Sequence, residues 1–282
     1  MVLDSKTTRK IITYVAIKPR SIQEIANHIK KNWRTADSYV DKISKEDGSI
    51  QTRIFREGTR GALKIVYHQS VKQITSNTFQ EQLLKQIELA KEKNDLSPFD
   101  IYQYVDKDKR RAFLEEQEEY KITLKQDLVS LLRSAKKQVL IFSGDFSWSQ
   151  AKQGKTRLRK IFEELADKGI SIKVIASVEI NNIKQIEETL AINDYSKREA
   201  IEIRHRNQPF RAFVIDNNIV RFKETRANHF ADKTNKKNLF IFYDILDDLW
   251  LDWIIKVFWH LFSGSVDAKK RIEDLRTIER IQ

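Results

Sequence analysis

Apolar positions recur at helical spacing from the start of the chain. Between positions 9 and 17 Ile11, Ile12, Val15 and Ala16 share a face, and Pro19 stops that helix. Ser21-Ile22-Gln23-Glu24 is a capping box, and Ile22, Ile25, Ala26 and Ile29 follow the i, i+3, i+4, i+7 rule of a second helix. Lys30-Lys31-Asn32 forms the turn, with Asn32 as N-cap of a third helix whose inner stripe is Ala36, Val40 and Ile43. Beyond Gly48 the period changes to two. Ile50, Thr52 and Ile54 alternate with Gln51, Arg53 and Phe55, a turn follows over 56–61, and Leu63, Ile65 and Tyr67 alternate again. Three helices and a hairpin predict a winged helix-turn-helix over residues 1–75.

The pattern then lengthens. Residues 78–94 contain no Gly or Pro and carry a narrow stripe of Phe79, Leu83, Ile87 and Ala90, which predicts one helix within a connector over 76–111. A stripe so narrow suits pairing with a second copy, so Phe79, Leu83 and Ile87 are expected to form a homodimer contact; a helix packed on its own chain fits the same pattern. A further helix is expected over about 112–136. Short apolar runs at 139–144 and 170–176 and alternating strands at 201–206, 212–215, 219–223 and 239–243 are interleaved with helical segments at 158–168 and 183–192. Asp216-Asn217-Asn218 supplies a hairpin turn. Strands mixed with helices predict a mixed α/β sheet domain over 112–265, and 266–282 is expected to be a C-terminal surface helix.

Composition narrows the function classes. Charged residues make up 33% of the 282 positions, above the roughly 25% usual for soluble domains, but 15 Phe, 8 Tyr and 5 Trp are too many for a disordered chain. With no cysteine, disulfides, thiolate nucleophiles and iron–sulfur clusters are excluded. The five histidines are scattered without ligand spacing, and Gly144 and Gly154 stand alone, so neither a metal site nor a phosphate-cradling loop is expected, and no cofactor. The apolar stretch at 239–262 is interrupted by Asp244, Asp247, Asp248, Asp252 and Lys256, which excludes a membrane span. No apolar run follows the first charges, so a signal peptide is not expected and a cytoplasmic location is.

Charge points to a partner. Of the formal +12, residues 1–75 hold a surplus of +8 and residues 76–282 only +4. A compact basic domain is the footprint of a phosphate-binding surface, because neutralising phosphates releases counterions. On the outer face of the third helix Trp33, Arg34, Thr35, Ser38 and Lys42 are expected to meet double-stranded DNA, and Arg53, Arg56, Arg60 and Lys64 of the hairpin to reach its backbone. Asp37 and Asp41 on the same face count against tight binding. Winged helices also dock proteins, so an adaptor remains a reading of the same pattern.

The order of winged helix, connector and the segments RKIFEELADKGISIKVIA (159–176) and IEIRHRNQPFRAFVIDNNIVRFKE (201–224) resembles the TrmB-like archaeal transcription regulators, whose effector domain is related to phospholipase D. That resemblance implies promoter binding as a homodimer, with a small ligand such as a sugar in the C-terminal domain. The phospholipase D signature, His then Lys two residues on and Asp five further, falls on Pro209, Arg211 and Asp216. Proline cannot act as the nucleophile that the His provides there, so a non-enzymatic, sequence-specific DNA-binding regulator is expected. A phospholipase D-like nuclease tethered to DNA is the alternative. Asp145 and Trp148, just past the first strand of the sheet, and the basic cluster Arg204, Arg206, Arg211 and Arg221 are expected to hold a sugar or phosphorylated effector. Packing for the Trp and solvated edge-strand charges for the arginines are the plainer readings.

Overall fold

The computed structural model describes residues 3–17, 20–56, 62–68, 78–92, 95–117, 121–123, 126–226 and 238–281, and the chain forms two compact units, Met1–Thr75 and Ser76–Gln282.

The first unit comprises α1 (Ser5–Ile17), β1 (Arg20–Ser21), α2 (Ile22–Ile29), α3 (Trp33–Glu46), β2 (Ile50–Arg56) and β3 (Ala62–His68), with the strands in the order β1-β3-β2. The Ser21 hydroxyl accepts from the Glu24 amide and the Glu24 carboxylate accepts from the Ser21 amide, which closes the capping box at the head of α2. Lys30 then turns into the left-handed region at φ 54°, and its amide donates to Ala26 and Asn27, ending α2 in one residue. Asn32 caps α3 by accepting from the Thr35 amide at 2.8 Å. Ile11, Val15, Ile25, Ala36, Val40, Ile43, Ile50 and Val66 form a core with essentially no exposure, and Tyr39, absent from the expected stripe, joins it.

The second unit begins with α4 (Thr78–Leu89), α5 (Phe99–Tyr102), β4 (Arg110–Gln117), β5 (Lys121–Ile122), α6 (Leu128–Arg133) and β6 (Gln138–Phe142). It continues through β7 (Lys152–Gln153), β8 (Thr156–Arg157), α7 (Leu158–Asp167), β9 (Ser171–Ala176), α8 (Ile183–Leu190), α9 (Ile192–Tyr195) and β10 (Ile201–His205). It ends with β11 (Ala212–Ile215), β12 (Ile219–Arg226), β13 (Asn238–Ile245), α10 (Asp248–Ser263), β14 (Val266–Asp267) and α11 (Ala268–Ile281). Eight strands form one mixed sheet in the order β14-β10-β9-β6-β11-β12-β13-β4, in which β10, β9 and β6 are parallel and every other pairing is antiparallel. β5, β7 and β8 make a small second sheet.

Side chains alternate across the large sheet. Val139 and Ile141 of β6, with Ile172 and Val174 of β9, face α6, α7 and α11 in one apolar core, whereas Phe142 faces the other way and meets Phe258 of α10 edge-on at 5.1 Å. The centre of the sheet is thus covered on both faces, as a continuous apolar run such as 139–142 requires.

The helix expected over 112–136 is instead β4, β5 and the short α6. β4 pairs with the whole length of β13, from Arg110↔Ile245 to Gln117↔Asn238, and this ladder outweighs the helix propensity of a Glu-rich segment. The expected dimer stripe also has a different neighbourhood. Leu83 and Ile87 are buried within the chain's own second unit, the ring of Phe79 lies 3.9 Å from that of Tyr104, and Glu88 bonds His260 of α10 at 2.6 Å. α4 therefore finds its apolar partners without a second copy. The tail is likewise integrated: β14 pairs with β10, and α11 sends Ala268, Ile272 and Leu275 into the core, leaving Ile278 half exposed.

Candidate functional site

Two surfaces carry the residues singled out by sequence, one in each unit. On the first, α3 buries Ala36, Tyr39, Val40 and Ile43 and turns Trp33, Arg34, Ser38 and Lys42 outward, with Trp33 46% exposed and Thr35 half-buried. The Lys64 ammonium on β3 bonds both Asp37 (2.7 Å) and Asp41 (2.6 Å). Burial works to lower the Lys64 pKa, and the hydrogen bonds it donates to the two carboxylates outweigh that and raise it. Lys64 is therefore committed to α3, where it offsets one of the two negative charges that stood against a phosphate-binding face. Arg60 and the side chains of Arg53 and Arg56 lie outside the described residues.

The second surface is a pocket of about 240 Å³ on one face of the large sheet. Where β6 ends, the Ser143 amide donates to the Ile175 carbonyl and the Gly144 carbonyl accepts from Ser177, so the exit of the strand is held to β9. Arg211 precedes β11, whose Ala212 pairs with Phe142, and this antiparallel register carries the guanidinium over Gly144. A Cβ at position 144 would lie 3.3 Å from Arg211 Nε, so any larger residue there would displace the guanidinium by a few tenths of an ångström. Arg211 Nη2 donates to Asp145 at 2.8 Å, while its Nε is buried without a partner among the described residues. Burial raises the Asp145 pKa; the Arg211 charge and the donors of Ser147 outweigh it, leaving the carboxyl below the usual range and ionised at neutral pH.

The remaining walls combine rings with polar groups. Trp148 donates through Nε1 to Ser143 Oγ at 2.9 Å and packs on Phe146, Phe162 and Phe213. Arg221 forms a forked pair with Asp244 (2.6 and 2.7 Å) and donates to the Gln126 carbonyl, so it braces the wall. Lys223 Nζ sits 3.8 Å from the centre of the Phe240 ring. Gln126 is buried and lines the cavity, with its Oε1 unpartnered among the described residues.

The positions matching the phospholipase D signature are all described. Asp216, at φ 50°, accepts from the amides of Lys136, Lys137 and Gln138 at 2.9 Å each, which pins the β11–β12 turn to the entry of β6. Pro209 is buried and held by Gln208, whose amide bonds Ser143 and Phe210. His205 is occupied elsewhere: its Nδ1 accepts from Val178, and burial, followed by the charge of Arg271, lowers its pKa.

Of the residues expected to bind an effector, Asp145, Trp148, Arg211 and Arg221 thus line one cavity. Arg204 and Arg206 do not line it. Arg204 pairs with Glu202 at 2.8 Å, donates to the Phe262 carbonyl and lies over the Phe262 ring, a bracing role between β10 and α10. The sequence grouped these arginines as one basic cluster and could not show which of them border a cavity. Gln126 and Phe213 escaped sequence reading: a lone Gln in an aperiodic segment and a Phe in an apolar strand carry no signal.

No protein-family model matches the chain, and no curated protein matches it. Among solved structures, Nuc from Salmonella typhimurium, a phospholipase D family member, is similar at a TM-score of 0.40 and 13% identity over 56% of this chain and 97% of that one. NucT from Helicobacter pylori is similar at a TM-score of 0.38 and 15% identity over 56% and 99%. TrmBL2, described as an archaeal chromatin protein with a novel mode of DNA binding, is similar at 0.38 and 14% over 94% of each chain. The chain has a distant structural resemblance to both groups: a mixed α/β architecture with a helical N-terminal region and a large C-terminal mixed sheet. The expectation of a regulator without enzymatic activity is corrected at this point. The similar structures include a phospholipase D family member as well as TrmBL2, and likeness this distant shows neither role, so the flat exclusion of enzymatic function is withdrawn.

Proposed function

We propose that the second unit binds a phosphodiester at the Arg211–Asp145 pocket and cleaves it, while the winged helix holds the chain on duplex DNA. The observation that carries this reading is the Arg211 guanidinium lining a pocket beside the ionised Asp145 carboxylate. A guanidinium presents a planar fork of several donors matched to phosphate oxygens, and the Asp145 bond uses one of them.

Pro209 removes the phosphohistidine route, so the chemistry available is direct attack by water. Arg211 holds a phosphate oxygen. Asp145 takes a proton from the attacking water as its oxygen bonds to phosphorus; the bond to the leaving oxygen breaks, and the proton passes to that oxygen through solvent. A carboxylate whose pKa lies below the usual range is a weak base, so turnover is slow and independent of pH above that range.

Release of 4-nitrophenol from bis(4-nitrophenyl) phosphate in the presence of a metal chelator tests this. The wild type is expected to turn over, Asp145→Asn to bind without turnover, and Arg211→Gln to lose both. Pro209 favours a second reading, in which the pocket binds a phosphodiester and leaves it intact; wild-type binding without release decides for that one.

A further inference from the structure

The small sheet of β5, β7 and β8 carries its charge in one line. Its register sets Lys121 opposite Lys152 and Lys152 opposite Arg157, while Ile122, Gln153 and Thr156 make the neighbouring row. Residues directly opposite one another in a sheet share a face. Ile122 is buried in the core, and Gln153 donates to Asp127 and accepts from the Val129 amide, so that row faces inward. Lys121, Lys152 and Arg157 therefore share the outer face, and all three are exposed. Lys155 is exposed in the two-residue turn between β7 and β8.

Like charges directly opposite one another destabilise a sheet, so folding does not account for the row. Among the described residues no carboxylate pairs with Lys152, Lys155 or Arg157, and Asp127, on the inner side, is engaged by Gln153 and Ser130. At one strand spacing per step the three cations span about 10 Å in single file. The file starts at the cavity, since Lys121 and Ala151 line the pocket that holds Arg211. A single file of cations follows one phosphate backbone, whereas a duplex presents two. We propose that the outer face of β5, β7 and β8 holds the backbone of a single-stranded nucleic acid, whose next phosphodiester enters the Arg211 pocket. These three strands hold no aromatic side chain, so the platform reads phosphates and not bases. Entry of the strand into the pocket rests on the phosphate reading of Arg211; the charge row stands apart from it.

Binding of a fluorescein-labelled oligothymidylate of eight residues to the full chain, followed by anisotropy across a salt series, tests this. Lys152→Gln combined with Arg157→Gln is expected to weaken binding at least about tenfold at about 0.1 M salt and to lower the slope of log K against log salt by about 1.4, the share of two single-strand phosphate contacts. The same variant is expected to bind dimethyl phosphate, which reaches only the pocket, as the wild type does, and to melt no lower, because a like-charge pair is relieved. Lys269→Gln combined with Lys270→Gln, exposed on α11, removes the same charge elsewhere and is expected to change little. Unchanged affinity and slope in the Lys152 and Arg157 variant overturn the platform and leave the pocket standing if dimethyl phosphate still depends on Arg211. Equal loss in the α11 variant overturns it too, since the effect is then one of total charge. An oligothymidylate that depends on Lys152 and Arg157 but not on Arg211 overturns entry into the pocket. A duplex of the same length that loses as much as the single strand overturns the choice of occupant, and no binding of the oligothymidylate by the wild type overturns the whole proposal.

Discussion

At Asp216 a single carboxylate closes three backbone donors, those of Lys136, Lys137 and Gln138, from a turn residue with positive φ. Aspartate tolerates that backbone region better than most residues, and no other side chain of its size accepts so many bonds. Asp216→Ala leaves buried amides without an acceptor and strains the turn, so it is expected to cost about 2–4 kcal/mol in denaturant unfolding of the full chain. Asp216→Asn keeps one acceptor oxygen and the turn preference, and is expected to lose less than half as much. Equal stability of Asp216→Ala and wild type would show that the turn is held by packing alone. The residues of this corner are legible in the sequence itself, since Pro209, Arg211 and Asp216 keep the spacing of a known motif. Gln126, which lines the cavity, is not, because a lone Gln in an aperiodic segment carries no pattern that places it there.

Between elements, the Lys64 contact decides what α3 can present. With Lys64 in place, one of the two negative charges of Asp37 and Asp41 is offset from β3, and Arg34 and Lys42 face outward beside them. Lys64→Met is expected to weaken gel-shift binding of duplex DNA at low salt, and adding Asp37→Asn with Asp41→Asn to restore most of it. A phosphate-contacting Lys64 would give the same weakening, but without restoration by the two Asn substitutions. Another inter-strand pair carries a pH signature. Burial raises the Glu202 pKa, but the charges of Lys173 and Arg204 outweigh this and bring it to about 2. A depressed folded pKa gives stability that is complete above the unfolded value near 4.5 and is lost as pH falls towards about 2. The melting-temperature gap between wild type and Glu202→Gln is therefore expected to be wide at pH 7 and to narrow through about pH 4 to 2.5; a gap that does not change with pH would contradict the pairing. Helices with a clean 3.6-residue period, such as α2, α3 and α7, were readable from apolar spacing. β4 was not, because its strand form is fixed by pairing with β13, more than 100 residues later in the chain.

For the whole molecule, the two units divide charge and chemistry between them. The surplus of +8 in residues 1–75 belongs to the unit with the exposed α3, and the pocket with Arg211, Asp145 and Gln126 belongs to the other, whose surplus is +4. This division was visible in the sequence as a shift from three short helices and a hairpin to alternating strands and helices; the covering of α4 and α11 by their own unit was not, since a narrow apolar stripe reads the same whichever surface buries it. The central claim, that Arg211 binds a phosphodiester, is tested most directly by calorimetric titration of the full chain with dimethyl phosphate. The account predicts saturable binding at one site per chain, abolished in Arg211→Gln and retained in Arg204→Gln. Binding that survives Arg211→Gln, or the absence of any binding by the wild type, would contradict it.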